Sequence, residues 1–328
     1  MAVTLLQAKT GMADKIDQNV IDEFRRGSLL MDKLIFDDSV SPGTGGSTLV
    51  YGYTLLKTPA QADFREINNE YTGGEADRET KSVQLKIFGG KFSIDRVLAR
   101  TTNGQIDEVQ FQLQEKIKAT INLFHNAVIN GDKSVKGFDG LDVMLAGSST
   151  EINANVASAI DLSSAAAVDS NYKVVLDRLD EFLAELDGAP DMLMGNKALI
   201  TKLQACARRA GYLTQAQDAF GRKAYSYNGI PFVDMQEFYN GATTQPVVPI
   251  ASRLNGETPV TGLTDLYAAR FALDGFHAAS PMGGKLISTT LPDFTSAGAV
   301  KSGDVEMVAA TVLKKTRAAG VLRNFKVK

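Results

Sequence analysis

The strongest constraint on this chain is a stripe of apolar residues in its first half. Ile106, Val109, Leu113, Ile117, Ile121, Phe124 and Val128 recur at spacings of three and four, the period of one helix face. Thr102 and Gln105 form a capping box, Asp107 and Glu108 suit the positive N-terminal end, and Gly131 stops the run. The reading is a helix over about 104–130. Such a helix spans roughly 37 Å, more than twice the usual globular length. It leads at once into Gly131-Asp132-Lys133-Ser134-Val135-Lys136-Gly137-Phe138-Asp139-Gly140-Leu141. Many large domains contain a helix of this kind, so its flanks decide what it means.

The bulk composition sets the class. At 328 residues, 44% hydrophobic and 22% charged, the chain can bury one large core or two ordinary ones. A net charge of −3 provides no bulk cationic field for a nucleic acid. No apolar run is long enough to cross a membrane, and Met1 to Thr10 lack the pattern of a signal peptide. Cys206 is the one cysteine, which suits a reducing cytoplasm. Its setting, Leu203-Gln204-Ala205-Cys206, reads as a small buried thiol.

Residues 1–46 lack the pattern of a self-sufficient domain. A short amphipathic helix (Ile16, Val20, Phe24) precedes Gly27, the run Ser28-Leu29-Leu30-Met31-Asp32-Lys33-Leu34-Ile35-Phe36, and the loop-like Ser41-Pro42-Gly43-Thr44-Gly45-Gly46. The apolar residues of this arm are expected to dock onto something else, and a neighbouring subunit would serve. Thr48 to Lys57 and Thr80 to Asp95 read as strands separated by a long polar stretch, Pro59 to Glu79, expected to project as a hairpin that reaches a partner. Val83, Leu85 and Ile87 alternate on odd positions and Phe92 and Ile94 on even ones, so a bulge or kink is expected at Gly89-Gly90.

Downstream, Ser148 to Ala167 reads as turns and short strands. Tyr172, Val175, Leu176, Leu179, Phe182, Leu183 and Leu186 mark a second helix closed at Gly188-Ala189-Pro190. Asp191 to Met194 is an expected strand, and Asn196 to Ala210 a third helix ending at Gly211. Ile230 to Val233, Leu266 to Leu273, Asp304 to Leu313 and Val321 to Lys328 are further strand candidates, and Gly241 to Gly262 reads as loop.

The inventory for catalysis is thin. His125 lies beside the apolar stripe and reads as structural; His277 reads as a strand-end or turn residue, and neither has a partner at metal-ligand spacing. Gly131-Asp132-Lys133-Ser134 and Gly195-Asn196-Lys197 both lack the upstream glycine of a phosphate loop. No nucleophile elbow occurs, and carboxylates and basic residues are dispersed. The chain is read as a non-enzyme, with no catalytic, cofactor or metal site.

The order of the parts carries a resemblance. An apolar arm, a long hairpin, a long helix and the phrase Asn130-Gly131…Gly137-Phe138-Asp139-Gly140-Leu141 resemble a tailed-bacteriophage major capsid protein of the Hong Kong 97 (HK-97) fold. Ala189 to Asn196 before a helix, Tyr227-Asn228-Gly229-Ile230-Pro231-Phe232-Val233, and the closing stretch Phe294 to Lys328 are similar to later parts of that family. The resemblance covers essentially the whole chain. It implies an α+β, HK-97-like capsid fold: an N-terminal arm (1–46), an extended hairpin loop (47–96), a peripheral domain (97–169) containing the spine helix, an axial domain (170–275), and strands returning to the peripheral domain (276–328).

The resemblance also implies self-assembly as hexamers and pentamers into an icosahedral shell around double-stranded DNA, in the virion and built in the host bacterial cytoplasm. The implied partners are further copies of the chain, a scaffolding protein, a portal, a decoration protein in members that have one, and packaged DNA by non-specific contact. No membrane is involved. Inter-subunit contacts are expected from Phe64, Arg65, Tyr71 and Arg78 on the hairpin and from Leu29, Leu30, Leu34 and Phe36 on the arm. An encapsulin-like bacterial nanocompartment shell is the alternative within the same fold. The arm begins close to Met1, so any scaffolding segment is expected to be separate or already processed. Between Pro59 and Thr80 there is no lysine, only Arg65 and Arg78, so the family's lysine–asparagine cross-link from the hairpin tip is not expected.

Overall fold

Two β-sheets and one long helix follow from the hydrophobic patterning. The computed structural model describes residues 29–38, 49–71, 73–96, 108–211, 214–217, 223–281 and 286–328. The expected helix around Ile16 to Phe24, the loop 41–46 and the Thr102 cap lie outside the described residues.

The spine helix, α2, runs Glu108–Asn130, after a one-turn helix α1 (Leu29–Lys33) in the arm. Leu113, Ile117, Phe124, Val128 and Ile129 on its stripe are buried. They face a five-stranded sheet built from β1 (Phe36–Asp37), β4 (Lys86–Asp95), β15 (Phe276–Ala279), β16 (Ile287–Thr290) and β17 (Val300–Leu313). β4 pairs with β17 in unbroken antiparallel register from Val300–Asp95 to Ala309–Lys86. No bulge therefore occurs at Gly89-Gly90. The change of face comes earlier, at the buried Leu85, where the chain leaves one strand partner and takes another. The glycines have a different reason. A Cβ on Gly89 would lie 1.9 Å from the Val305 carbonyl oxygen, so only glycine permits this approach.

A cluster of four aromatic rings joins the arm, the sheet, the spine and the glycine-rich phrase. Phe124 stands 6.1 Å from Phe36, 6.0 Å from Phe88 and 6.1 Å from Phe138, centroid to centroid. The phrase returns on itself because the Gly140 amide donates to the Gly131 carbonyl at 2.8 Å. A Cβ on Gly131 would lie 2.3 Å from the Phe138 carbonyl oxygen, and one on Gly140 2.6 Å from the Gly131 nitrogen. These two glycines let the backbones touch, and Leu141 then opens a short helix, α3 (Leu141–Leu145).

The nine-stranded sheet is mixed. Its main path runs β5 (Glu151–Ile152), β18 (Ala319–Lys326), β14 (Thr258–Ala269), β7 (Met192–Gly195), β10 (Ile230–Asp234), β9 (Lys223–Tyr227) and β8 (Thr214–Gln217), with β6 (Ile160–Asp161) beside β18 and β13 (Ala251–Asn255) beside β14. Period-two alternation sends its side chains into two cores. Met192, Met194, Tyr267, Ala269 and Val321 join the core shared with the spine. Leu193, Leu266, Ala268, Leu322 and Phe325 pack with α4 (Ala165–Ala184) and α5 (Lys197–Ala210). Both helices carry local signals. Ser164 caps α4, the Asn196 side chain accepts from the Leu199 amide at 2.9 Å, and Gly211 ends α5 at φ 76°.

Several expectations need correction. Gly241 to Gly262 is not a loop: it holds β12 (Thr244–Pro246), β13 and the start of β14. Its strand prolines stand at or near strand ends, where a missing N–H is tolerated. Within residues 276–328, β15, β16 and β17 lie in the five-stranded sheet beside the spine, whereas β18 pairs with β14 in the larger one. The division at 169/170 falls inside α4, and β5 and β6 already belong to the larger sheet.

One polar junction ties α3 to that sheet. The buried Asp265 carboxylate accepts from Arg253 at 2.7 and 2.5 Å, from Arg323 at 3.0 Å and from the Asn324 amide at 3.0 Å. Arg323 also pairs with Asp142 of α3 at 2.7 Å and with Glu151. Tyr267 donates to Asp142 at 3.0 Å. Every charge here has an opposite partner, as burial demands.

Candidate assembly surfaces

The hairpin is made of β2 (Val50–Thr58) and β3 (Asp77–Gln84), paired antiparallel from Val50–Gln84 to Thr58–Asp77. Among the described residues its strands pair only with each other, and only its root is buried. Tyr51 is held between the two sides of that root: its hydroxyl donates to Asp37 at 2.6 Å, and the Tyr53 hydroxyl donates to the Leu313 carbonyl at 3.3 Å. Beyond the root, residues 59–71 and 73–76 carry almost nothing buried.

Phe64 is 107% exposed, Ile67 89% and Tyr71 68%. Three large apolar side chains on one solvent-exposed loop are unusual unless a partner covers them. The loop has internal order: Arg65 donates to the Asn69 carbonyl at 2.8 Å and lies 5.3 Å from the centroid of the Tyr71 ring. Arg78 sits on β3 opposite Leu56, and both are exposed. Asp63, Glu66, Glu70 and Glu75 against Arg65 make the segment acidic. A matching partner surface is an apolar groove with a basic rim.

The arm residues fare differently. Leu30 and Leu34 are 1% and 5% exposed within this chain, and Phe36 packs on Phe124. β1 adds in parallel to β15. Leu30 and Leu34 are therefore taken up by the subunit's own core, and Phe36 is partly buried against it. Leu29 begins α1, and its side chain lies outside the described residues.

Two titratable groups outside these surfaces are buried. His125 on the spine is buried, which pushes its pKa down to about 4. Burial pushes the Cys206 thiol up to about 11, well away from a thiolate nucleophile. Among the described residues, no group of three or more His, Cys, Asp or Glu is placed to hold a metal ion. A cleft of about 980 Å³ opens between α5, the spine and the β11–β12 hairpin (β11, Glu237–Tyr239), lined by Asn122, Lys197, Lys202, Asp234, Glu237 and Lys328 among others. It contains no histidine or cysteine, and its charges are mixed in sign.

No protein-family profile and no curated protein sequence matches the chain. Solved structures do. An encapsulin complex from Synechococcus elongatus superposes with a TM-score of 0.64 at 15% identity, over 91% of this chain and 88% of that one. The capsid of the myovirus phage XM1 gives 0.54 at 10% identity, over 90% and 91%. The capsid of a native GTA particle gives 0.53 at 14% identity, over 85% and 86%. The chain has the HK-97-like fold, and it has it over nearly its whole length.

Proposed function

We propose that this chain is the subunit of a closed protein shell, the major capsid protein of a tailed bacteriophage. Copies assemble as hexamers and pentamers around double-stranded DNA, in the virion. The observation that carries the reading is the hairpin: a two-stranded projection, rooted in the core, whose loop exposes Phe64, Ile67 and Tyr71. Burying each such side chain on a neighbour contributes about 1.5–3 kcal/mol, repeated at every subunit of a ring. The superposition of about nine-tenths of the chain on shell proteins supports the same role. The cleft is mixed in charge and holds no histidine or cysteine. A scaffolding protein, a portal and DNA held by non-specific contact complete the set of proposed partners.

Particles formed by the wild-type chain, followed by sedimentation velocity, test this. Phe64→Asp with Ile67→Asp should leave a folded subunit whose assembly is abolished or reduced at least tenfold. Assembly equal to wild type would remove the hairpin loop from the interface. The encapsulin superposition favours a second reading, a bacterial nanocompartment shell. Particle contents separate the two: packaged DNA marks the capsid, and an enclosed protein cargo marks the compartment.

A further inference from the structure

The root of the hairpin rests on one residue with no partner of its own. His277 is fully buried on β15, and neither Nδ1 nor Nε2 makes a hydrogen bond. It pairs across the ladder with Val312, so both lie on the sheet face away from the spine, the face that the hairpin root covers. The Tyr51 ring meets the imidazole edge-on, 5.7 Å between centroids at 72°. An imidazole left without partners in an apolar site is tolerable only while it is neutral.

The charged and titratable groups around it come from every packed element. Asp37 on β1 accepts the Tyr51 hydroxyl. Lys314, just past β17, holds its ammonium 5.3 Å from the Tyr51 ring centroid. Tyr53, next but one along β2, feels the Glu79 carboxylate of β3 and stands opposite Lys81. Asp37 and the nearby Gly275 backbone carbonyl, which makes no well-formed hydrogen bond to the ring, would favour a charged imidazole, and Lys314 would oppose it. Burial outweighs both and, together with Lys314, holds the His277 pKa below its ordinary value.

We propose that His277 makes the hairpin root an acid-released latch: protonation of this buried, unpartnered imidazole frees β2 from the sheet face and lets the hairpin reorient. The sign follows from linkage. An open root hydrates His277 and restores its ordinary pKa near 6.5, whereas the closed root keeps it lower. The closed state is therefore stable above about pH 6.5. Below that value the open population grows up to tenfold per pH unit, until the closed form itself titrates. The device is local, because β15 and β2 share this contact while the nine-stranded sheet takes no part in it.

Hydrogen exchange followed by mass spectrometry, on the full chain at pH 7.5 and 5.5 with labelling times scaled to intrinsic rates, tests this. In a His125→Gln background, which removes the global acid response expected of the spine, protection of residues 50–56 should fall about tenfold at the lower pH, with residues 192–195 and 319–326 unchanged. His277→Phe should abolish the fall. Lys314→Gln, at a partly exposed position, removes the cation that opposes a charged imidazole in the closed root, so the fall should be smaller than with Lys314 present, its onset still near pH 6.5. Unchanged protection in the wild type would overturn the proposal, as would an equal fall in His277→Phe. Loosening shared equally by residues 192–195 and 319–326 in the His125→Gln background would make the acid response global and overturn it too.

Discussion

Phe124 and Phe64 are the same residue type in opposite circumstances, and truncating each to alanine separates the fold from its exposed loop. Phe124 is 0% exposed and touches three rings, Phe36, Phe88 and Phe138, each from a different chain segment. Truncating a buried phenylalanine costs about 3–5 kcal/mol, and three ring pairs of about 0.5 kcal/mol or more place this site at the upper end. Phe64 is 107% exposed and has no such neighbours in the subunit, so its truncation should stay within about 0.5 kcal/mol. The chain has no tryptophan, so urea unfolding is best followed by circular dichroism. At a slope of about 3 kcal/mol/M, Phe124→Ala should lower the midpoint by more than about 1 M, while Phe64→Ala leaves it in place. A loss under about 1 kcal/mol for Phe124→Ala, or equal losses for the two variants, would refute the keystone role assigned to the ring cluster.

Three other substitutions probe separate parts of the account. Gly131→Ala puts a methyl group against the Phe138 and Ala127 carbonyl oxygens, 2.3 and 2.4 Å away, and should cost about 1–3 kcal/mol in chemical denaturation. A neutral result would mean that the phrase closes in some other way. Asp265→Asn removes the charge that Arg253 and Arg323 share, and should cost about 3 kcal/mol, read as a lower melting temperature; an unchanged melt would make the network incidental. His125 is neutral in the folded state, with its pKa held near 4 by burial, so stability should fall as pH drops from about 6.5 toward 4, by roughly 3 kcal/mol at most. His125→Gln should flatten that part of the pH–stability curve, and an unaltered slope would clear His125 of the effect.

What could be read from the residues was whatever is encoded locally. The spine stripe and the Gly211 stop are encoded by nearby residues, and each appears in the structure where its spacing places it. The long polar stretch between β2 and β3 was legible as a projection because it has little to bury. Non-local choices were not legible. Leu30 and Leu34 announce a need for burial but not the surface that meets it, and the chain's own core proved nearer than any neighbour. Alternation around Val83 to Ile94 showed that the face changes, and the glycine pair drew attention from Leu85, where the strand changes partner. In Gly241 to Gly262 prolines signalled loop, although a proline near a strand end breaks no ladder. Among the expected site residues, the hairpin set stands exposed on the projection, while Tyr51 and Asp37, which anchor it, carried no sequence signal. Their pairing exists only once β1 lies beside β15.

The most direct test of the central claim is electron microscopy of the purified chain, alone and with its scaffolding protein. The account predicts closed shells in which density for residues 59–76 lies on a neighbouring subunit. A chain that remains a monomer under all these conditions, or shells in which that loop touches no other subunit, would contradict it.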